Sequence, residues 1–152
     1  NLIEFNKSRD FKISDLFEVL SKPKKKYKYN NEVNLISAKN NNNGIRGTII
    51  SDENTFEKNK IVLITGGNGG AGLAFYQNAD FNISSATKVL NPINIVLDNN
   101  IGIFISLILS KNKKLYSRGH TWTLKRINDT IISLPVNKNG IIDYEFINSL
   151  FK

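Results

Sequence analysis

The chain has 152 residues, enough to bury a proper core, and is read most simply as one domain. It contains no cysteine and one histidine, His120, which excludes disulfides and thiolate metal sites and leaves a zinc site short of ligands. With 21 basic against 13 acidic residues the net charge is +8, pointing to a polyanionic partner, nucleic acid before anionic membrane.

Residues 1–10 are polar and irregular. Ser14 is placed to cap a short helix over residues 15–20, with Asp15 in its first turn and Leu16, Phe17, Val19 and Leu20 as core anchors. Next, Lys22, Lys24, Lys25, Lys26 and Lys28 interleave with Tyr27 and Tyr29. Such a run is either a solvated charged loop or a loop that contacts phosphates. Residues 33–38 read as a buried strand and 48–50 as a second, joined by a polar loop that carries Asn40, Asn41, Asn42, Asn43 and Arg46. Asparagine amides pair bidentately with adenine and arginine with guanine. The competing reading is a plain Asn-Gly turn.

Residues 61–65 form a central apolar strand that runs into five glycines, Gly66, Gly67, Gly69, Gly70 and Gly72. A loop of this kind brings backbone N–H groups close to a phosphate or a base edge, with Asn68 and Gly69 at its centre. Residues 67–72 also fit G-x-G-x-x-G, and 65–72 fit the T-G-x-x-x-G-x-G of short-chain dehydrogenases, with Asp98 ending a further strand over 93–97. A small NAD(P)-binding oxidoreductase is therefore the alternative reading, and a purely structural turn a third. Against the first, sixty residues precede the strand, no Tyr-x-x-x-Lys pair exists, and Asn78, Asp80, Asn82, Ser84 and Ser85 interrupt any crossover helix.

Residues 84–90 read as a short helix or strand. Asn91-Pro92-Ile93 lacks the second proline and the aromatic of the Asn-Pro-Pro-Tyr motif of amino-methyltransferases. Residues 100–110 are apolar nearly all round and are expected to form a buried helix. At about half the length needed to cross a bilayer, this apolar run is no membrane span, and with no secretory signal a soluble cytoplasmic protein is expected. Lys111, Lys113, Lys114, Arg118, Lys125 and Arg126 follow with no acid among them and with Tyr116, His120 and Trp122 interspersed. Cations for phosphates beside rings for stacking suit a nucleic-acid surface; for Trp122 core packing is the competing reading. A strand over 131–136, a turn over 137–140 and a helix capped by Asp143, with Phe146, Ile147, Leu150 and Phe151 on one face, complete the chain.

The segments FKISDLFEVL (11–20), NLISAKNNNNGIRG (34–47), KIVLITGGNGGAGLAFYQNADFNISSATKVLNP (60–92), LYSRGHTWTLKRINDTIISLPV (115–136) and NGIIDYEFINSL (139–150) carry a resemblance. Together they resemble target recognition domains of type I restriction-modification specificity subunits, and most closely the version in fused or BcgI-like type II enzymes. The resemblance implies an α+β fold: a single compact domain with a mixed twisted sheet and a few short helices over residues 1–142, with 143–152 starting a C-terminal spacer or docking helix. It implies a non-catalytic module that reads part of a double-stranded DNA site and holds no cofactor of its own. The expected partners are a methyltransferase that binds S-adenosylmethionine, a second recognition domain and a restriction subunit. On this reading Lys22, Lys24, Lys25, Lys26, Lys28, Lys111, Lys113, Lys114, Lys125 and Arg126 contact phosphates. Base edges are read by Asn40, Asn41, Asn42, Asn43, Arg46, Asn68, Gly69, Tyr116, Arg118, His120 and Trp122.

Overall fold

The structure, a computed structural model, describes residues 7–28, 30–67, 71–116 and 121–152. The chain opens with β1 (Lys7–Lys12), a one-turn helix α1 (Ile13–Leu16) and β2 (Phe17–Leu20). β3 (Glu32–Ile36) and β4 (Ile45–Ile50) flank a 3-10 turn at Asn42–Gly44. β5 (Lys60–Ile64), β6 (Ala74–Gln77), β7 (Phe81–Ile83) and β8 (Thr87–Pro92) follow. The remainder is α2 (Asn99–Leu109), a 3-10 turn at Ser110–Asn112, α3 (Lys113–Tyr116), α4 (Leu124–Asp129), β9 (Ile131–Val136) and α5 (Tyr144–Ser149).

Three sheets result, in the orders β2-β8-β5-β6, β4-β3-β7 and β1-β9. All pairings are antiparallel except that of β3 with β7. The arrangement is α+β. β5 is its centre because Ile61, Val62, Leu63 and Ile64 are all buried, as a strand covered on both faces requires. Side-chain alternation sends Ile61 and Leu63 into the larger core with α2, β1 and β9, and Val62 into a smaller core with Ile36, Phe56, Phe81 and Val89. The β4-β3-β7 sheet thus covers one face of the central sheet, and α2 covers the other.

Several expected elements differ from the observed ones. The helix expected over 15–20 is only Ile13–Leu16, and Ser14 does not cap it: the Asp15 carboxylate takes the Lys12 N–H at 2.8 Å. Phe17, Val19 and Leu20 instead pair with Pro92, Leu90 and Val89 of β8, a tertiary partner outweighing a weak local helix preference. β4 begins three residues earlier than expected because Ser37 N–H bonds Gly44 O at 3.0 Å and brings the chain back at once. Of residues 84–90, the first three form a turn and the rest enter β8, whereas 93–97 form no strand, since Ile93 and Asn94 N–H both go to Leu16 O (2.9 and 3.1 Å). α2 is not buried all round: Ile101, Ile105 and Leu109 face the core while Leu107 is 65% exposed.

The dinucleotide reading fails on topology. β5 and β6 are antiparallel partners, Lys60 opposite Gln77 and Leu63 opposite Ala74, so the glycine loop joins two strands of a hairpin. A pyrophosphate site needs that loop to open a helix whose N-terminus faces the ligand. Asp98, expected to end a further strand, instead caps α2 by accepting Ile101 N–H at 2.9 Å. Among the described residues no helix is long and apolar enough to cross a membrane.

Candidate nucleic-acid interface

The stem of the glycine loop is fixed from several sides. Thr65 N–H bonds Ala86 O at 2.9 Å, Gly72 N–H bonds Ile64 O at 2.8 Å, and Thr65 O accepts Trp122 N–H at 2.9 Å. Gly67 lies so close to the β3–β4 connection that a β-carbon on it would stand 3.1 Å from Ala38 Cβ. Gly72, at φ +93°, abuts the start of α3, and a β-carbon there would meet Lys113 Cα at 2.5 Å. Only glycine fits that position. Ala38 at the start of the β3–β4 connection, the stem of the glycine loop and Trp122 therefore meet at the Ile64 end of β5, and from there the connection runs along β6 to Asn43, beside Tyr76 and Gln77.

The asparagines divide by role. Asn43 Nδ2 donates to Tyr76 O at 2.9 Å, and Gln77 Nε2 donates to Asn43 O at 3.2 Å. Asn42 Nδ2 donates to Ile45 O at 3.2 Å. Asn43 holds the connection along the free edge of β6, satisfying backbone groups that an uncovered edge would leave open, while Asn42 bonds within the connection itself. Asn43 thus serves as a structural tie and Asn42 shapes the turn, and both side chains remain exposed. Asn40 and Asn41 are exposed, and among the described residues their amides have no partner. Arg46 is exposed on β4, also without an ion pair among the described residues.

The basic positions divide in the same way. Lys24 is paired with Glu18 (2.9 and 3.1 Å to the two oxygens), and Lys125 with Asp129 at 2.9 Å one helical turn away. Both ion pairs are exposed and weak, so a phosphate can displace them. Arg126 donates to Thr121 O at 3.0 Å. Lys22, Lys25, Lys26, Lys28, Lys111 and Lys114 are exposed, and Lys113 is half-buried. The lysine-rich loop is strapped by the Tyr27 hydroxyl, which donates to Asp80, and by Ser51 Oγ, which donates to Lys28 O at 3.0 Å. The hydrogen bond to the Asp80 carboxylate, aided by burial, holds the Tyr27 phenol above its ordinary pKa.

Trp122 is a core residue, which corrects its assignment as a base reader. It is 1% exposed, its Nε1–H donates to Thr130 Oγ1 at 3.1 Å, and its ring stacks on Tyr116 with centroids 5.2 Å apart. Tyr116 is half-buried by that stack. Asn68, Gly69, Arg118 and His120 lie outside the described residues.

Position along β5 separates the clusters. The lysine-rich loop, tied to Asp80, sits at the Lys60 end, whereas the glycine loop leaves from Ile64, ~13 Å away along an extended strand. Of the residues at that first end, Lys60 was not singled out in the sequence, and Asn91 only within a motif that was set aside. Lys60 opens the most buried strand, and such a position is where a long cation is pulled partly inside.

A family model described as "Type I restriction modification DNA specificity domain" matches residues 6–152. The chain belongs to that family. This specificity domain is also similar to the type II restriction enzyme BgcI specificity subunit S.BcgI of Heyndrickxia coagulans, at 29% identity over 113 residues. That match covers 74% of this chain and 33% of the relative, so the specificity domain spans about a third of that protein. Its fold is similar to that of the type I restriction-modification S subunit from M. genitalium (TM-score 0.58, 17% identity, covering 84% of this chain and 34% of that one). It is likewise similar to the HsdS subunit from Thermoanaerobacter tengcongensis (TM-score 0.62, 12% identity, 95% of this chain and 36% of that one). The α+β class read from the sequence matches the fold of both.

Proposed function

We propose that this specificity domain reads base sequence in double-stranded DNA through Asn40, Asn41 and Arg46, on and just after the connection that leaves the glycine-loop end of β5 and runs along β6, and does no catalysis itself. Membership of a DNA specificity family over residues 6–152 is the observation that carries the reading. The geometry supports the location, since the exposed amides and guanidinium stand next to hydrogen-bonded strands that keep them from moving when a base pair is presented. Lys111, Lys113 and Lys114, flanking the same end, are suited to the adjacent phosphates, which position the domain without specifying sequence. By the same reading the domain directs a methyltransferase partner that carries S-adenosylmethionine, and one domain of this size reads only a few base pairs. A second recognition domain then supplies the rest of the site, a restriction subunit acts on the assembled complex, and the complex works in the cytoplasm.

Replacing Arg46 with alanine is expected to relax preference at one position of the site by roughly tenfold or more, the equivalent of about 1–3 kcal/mol for a bidentate contact. Affinity for unrelated DNA should fall only by the effect of one charge. Selection from a randomised duplex library with full-length protein, with and without the methyltransferase, measures both. An unchanged preference at every position would remove Arg46 from the reading surface.

A further inference from the structure

We infer that the cavity between Lys25 and Lys60, at the far end of β5 from the glycine loop, holds a phosphodiester group of the bound DNA duplex. The inference rests on the DNA reading above and adds to it an anion site distinct from the base-reading residues. The cavity measures about 220 Å³; Leu20, Pro23 and Phe56 supply its apolar lining, and Glu57 and Asn91 stand on its wall beside the lysines. Its rim is organised before any ligand arrives: Glu18 accepts from Lys24 at 2.9 Å and from Asn91 Nδ2 at 2.8 Å, and Tyr27 ties the loop to Asp80. With Lys24 engaged on Glu18, the cations left facing the space are Lys25 and Lys60.

Lys60 is half-buried, and among the described residues its ammonium donates to a neutral acceptor, Glu57 O, at 3.2 Å. A lysine ammonium has three donors, so two remain for a ligand. Burial lowers the Lys60 pKa, Glu57 and Asp80 oppose that shift, and the nearby charge of Lys25 adds to it. Two ammonium groups that repel one another across a partly desolvated space are stabilised when an anion enters between them. A phosphodiester oxygen suits that space: it carries one negative charge, accepts from both ammonium groups, and leaves the apolar lining to the sugar.

The test is duplex binding by the full-length chain across a salt series. Lys60→Gln is expected to weaken binding to all sequences alike by roughly five- to tenfold at 0.1 M salt, and to flatten the salt dependence by about one ion. Lys60→Arg should restore both, and Lys138→Ala, an equal charge loss at the turn after β9, should leave the slope nearly unchanged. If Lys60→Gln binds with the affinity and slope of the parent while Arg46→Ala still relaxes preference, the cavity inference falls and the DNA reading stands. If the parent binds no duplex, both fall. A deoxynucleoside monophosphate is the second probe: occupancy at micromolar concentration, with duplex binding indifferent to Lys60→Gln, would reassign the cavity to a free nucleotide and overturn the inference.

Discussion

Trp122→Ala is expected to lower folding stability by about 3–5 kcal/mol, the usual range for deleting a buried indole. The substitution removes a side chain that is 1% exposed, orphans Thr130 Oγ1 of one donor, and unstacks Tyr116. For a domain of this length that corresponds to a fall in Tm of roughly 10 °C. Circular dichroism measures it without needing the lost fluorophore. The same variant, assayed below its Tm, should select the same DNA sequence as the parent. A variant of unaltered stability that preferred a different sequence would restore Trp122 to the reading surface and contradict its burial.

Gly102→Ala should also be strongly destabilising, although alanine is the better helix former by about 1 kcal/mol. The reason is the packing of α2 on β6. A β-carbon at residue 102 would stand 2.1 Å from Tyr76 Cδ1 and 2.5 Å from two further ring atoms. Tyr76 cannot swing away cheaply, because it is buried, pairs with Ile61 in the sheet, and donates its hydroxyl to Asn59 Oδ1 at 2.7 Å. Overpacking of this kind costs about 1–3 kcal/mol and sometimes more, which outweighs the helix gain. Combining Gly102→Ala with Tyr76→Leu should recover part of the loss. Strict additivity in that double-mutant cycle would show that the two positions do not collide.

How much was legible in the sequence depended on where each residue's partner lay. β5, α2, β9 and the Asp143 cap rest on uninterrupted apolar runs or on contacts within one turn, and a local pattern suffices for those. Phe17–Leu20 carries apolar residues compatible with either a helix or a strand, and its pairing with β8, some seventy residues on, decides the matter. The glycine loop satisfies a dinucleotide fingerprint letter by letter, yet the fingerprint has meaning only if a helix follows, and β6 follows instead. Asn42 and Asn43 look like their neighbours Asn40 and Asn41 in the sequence. Only the position of β6 for Asn43, and the turn into β4 for Asn42, reveals which amides are engaged. The basic runs at 22–28 and 111–126 read as equivalent, and the direction of β5 is what sends them to different ends of the domain.

The pairing of β1 with β9, Lys7 opposite Val136 and Lys12 opposite Ile131, also sets a timetable for folding. A nascent chain grows by about 5–20 residues per second, so β1 waits on the order of ten seconds for the strand that completes it. During that interval Phe11, whose eventual neighbours include Ile132 and Leu134, has no cover. Pairings this distant in sequence are also the slow ones once synthesis is finished, because loop closure must precede any gain from the contact. The newly made domain is therefore most exposed to chaperones and proteases before β9 emerges, and substitutions in β1 that are mild at equilibrium can still lower the yield of folded protein.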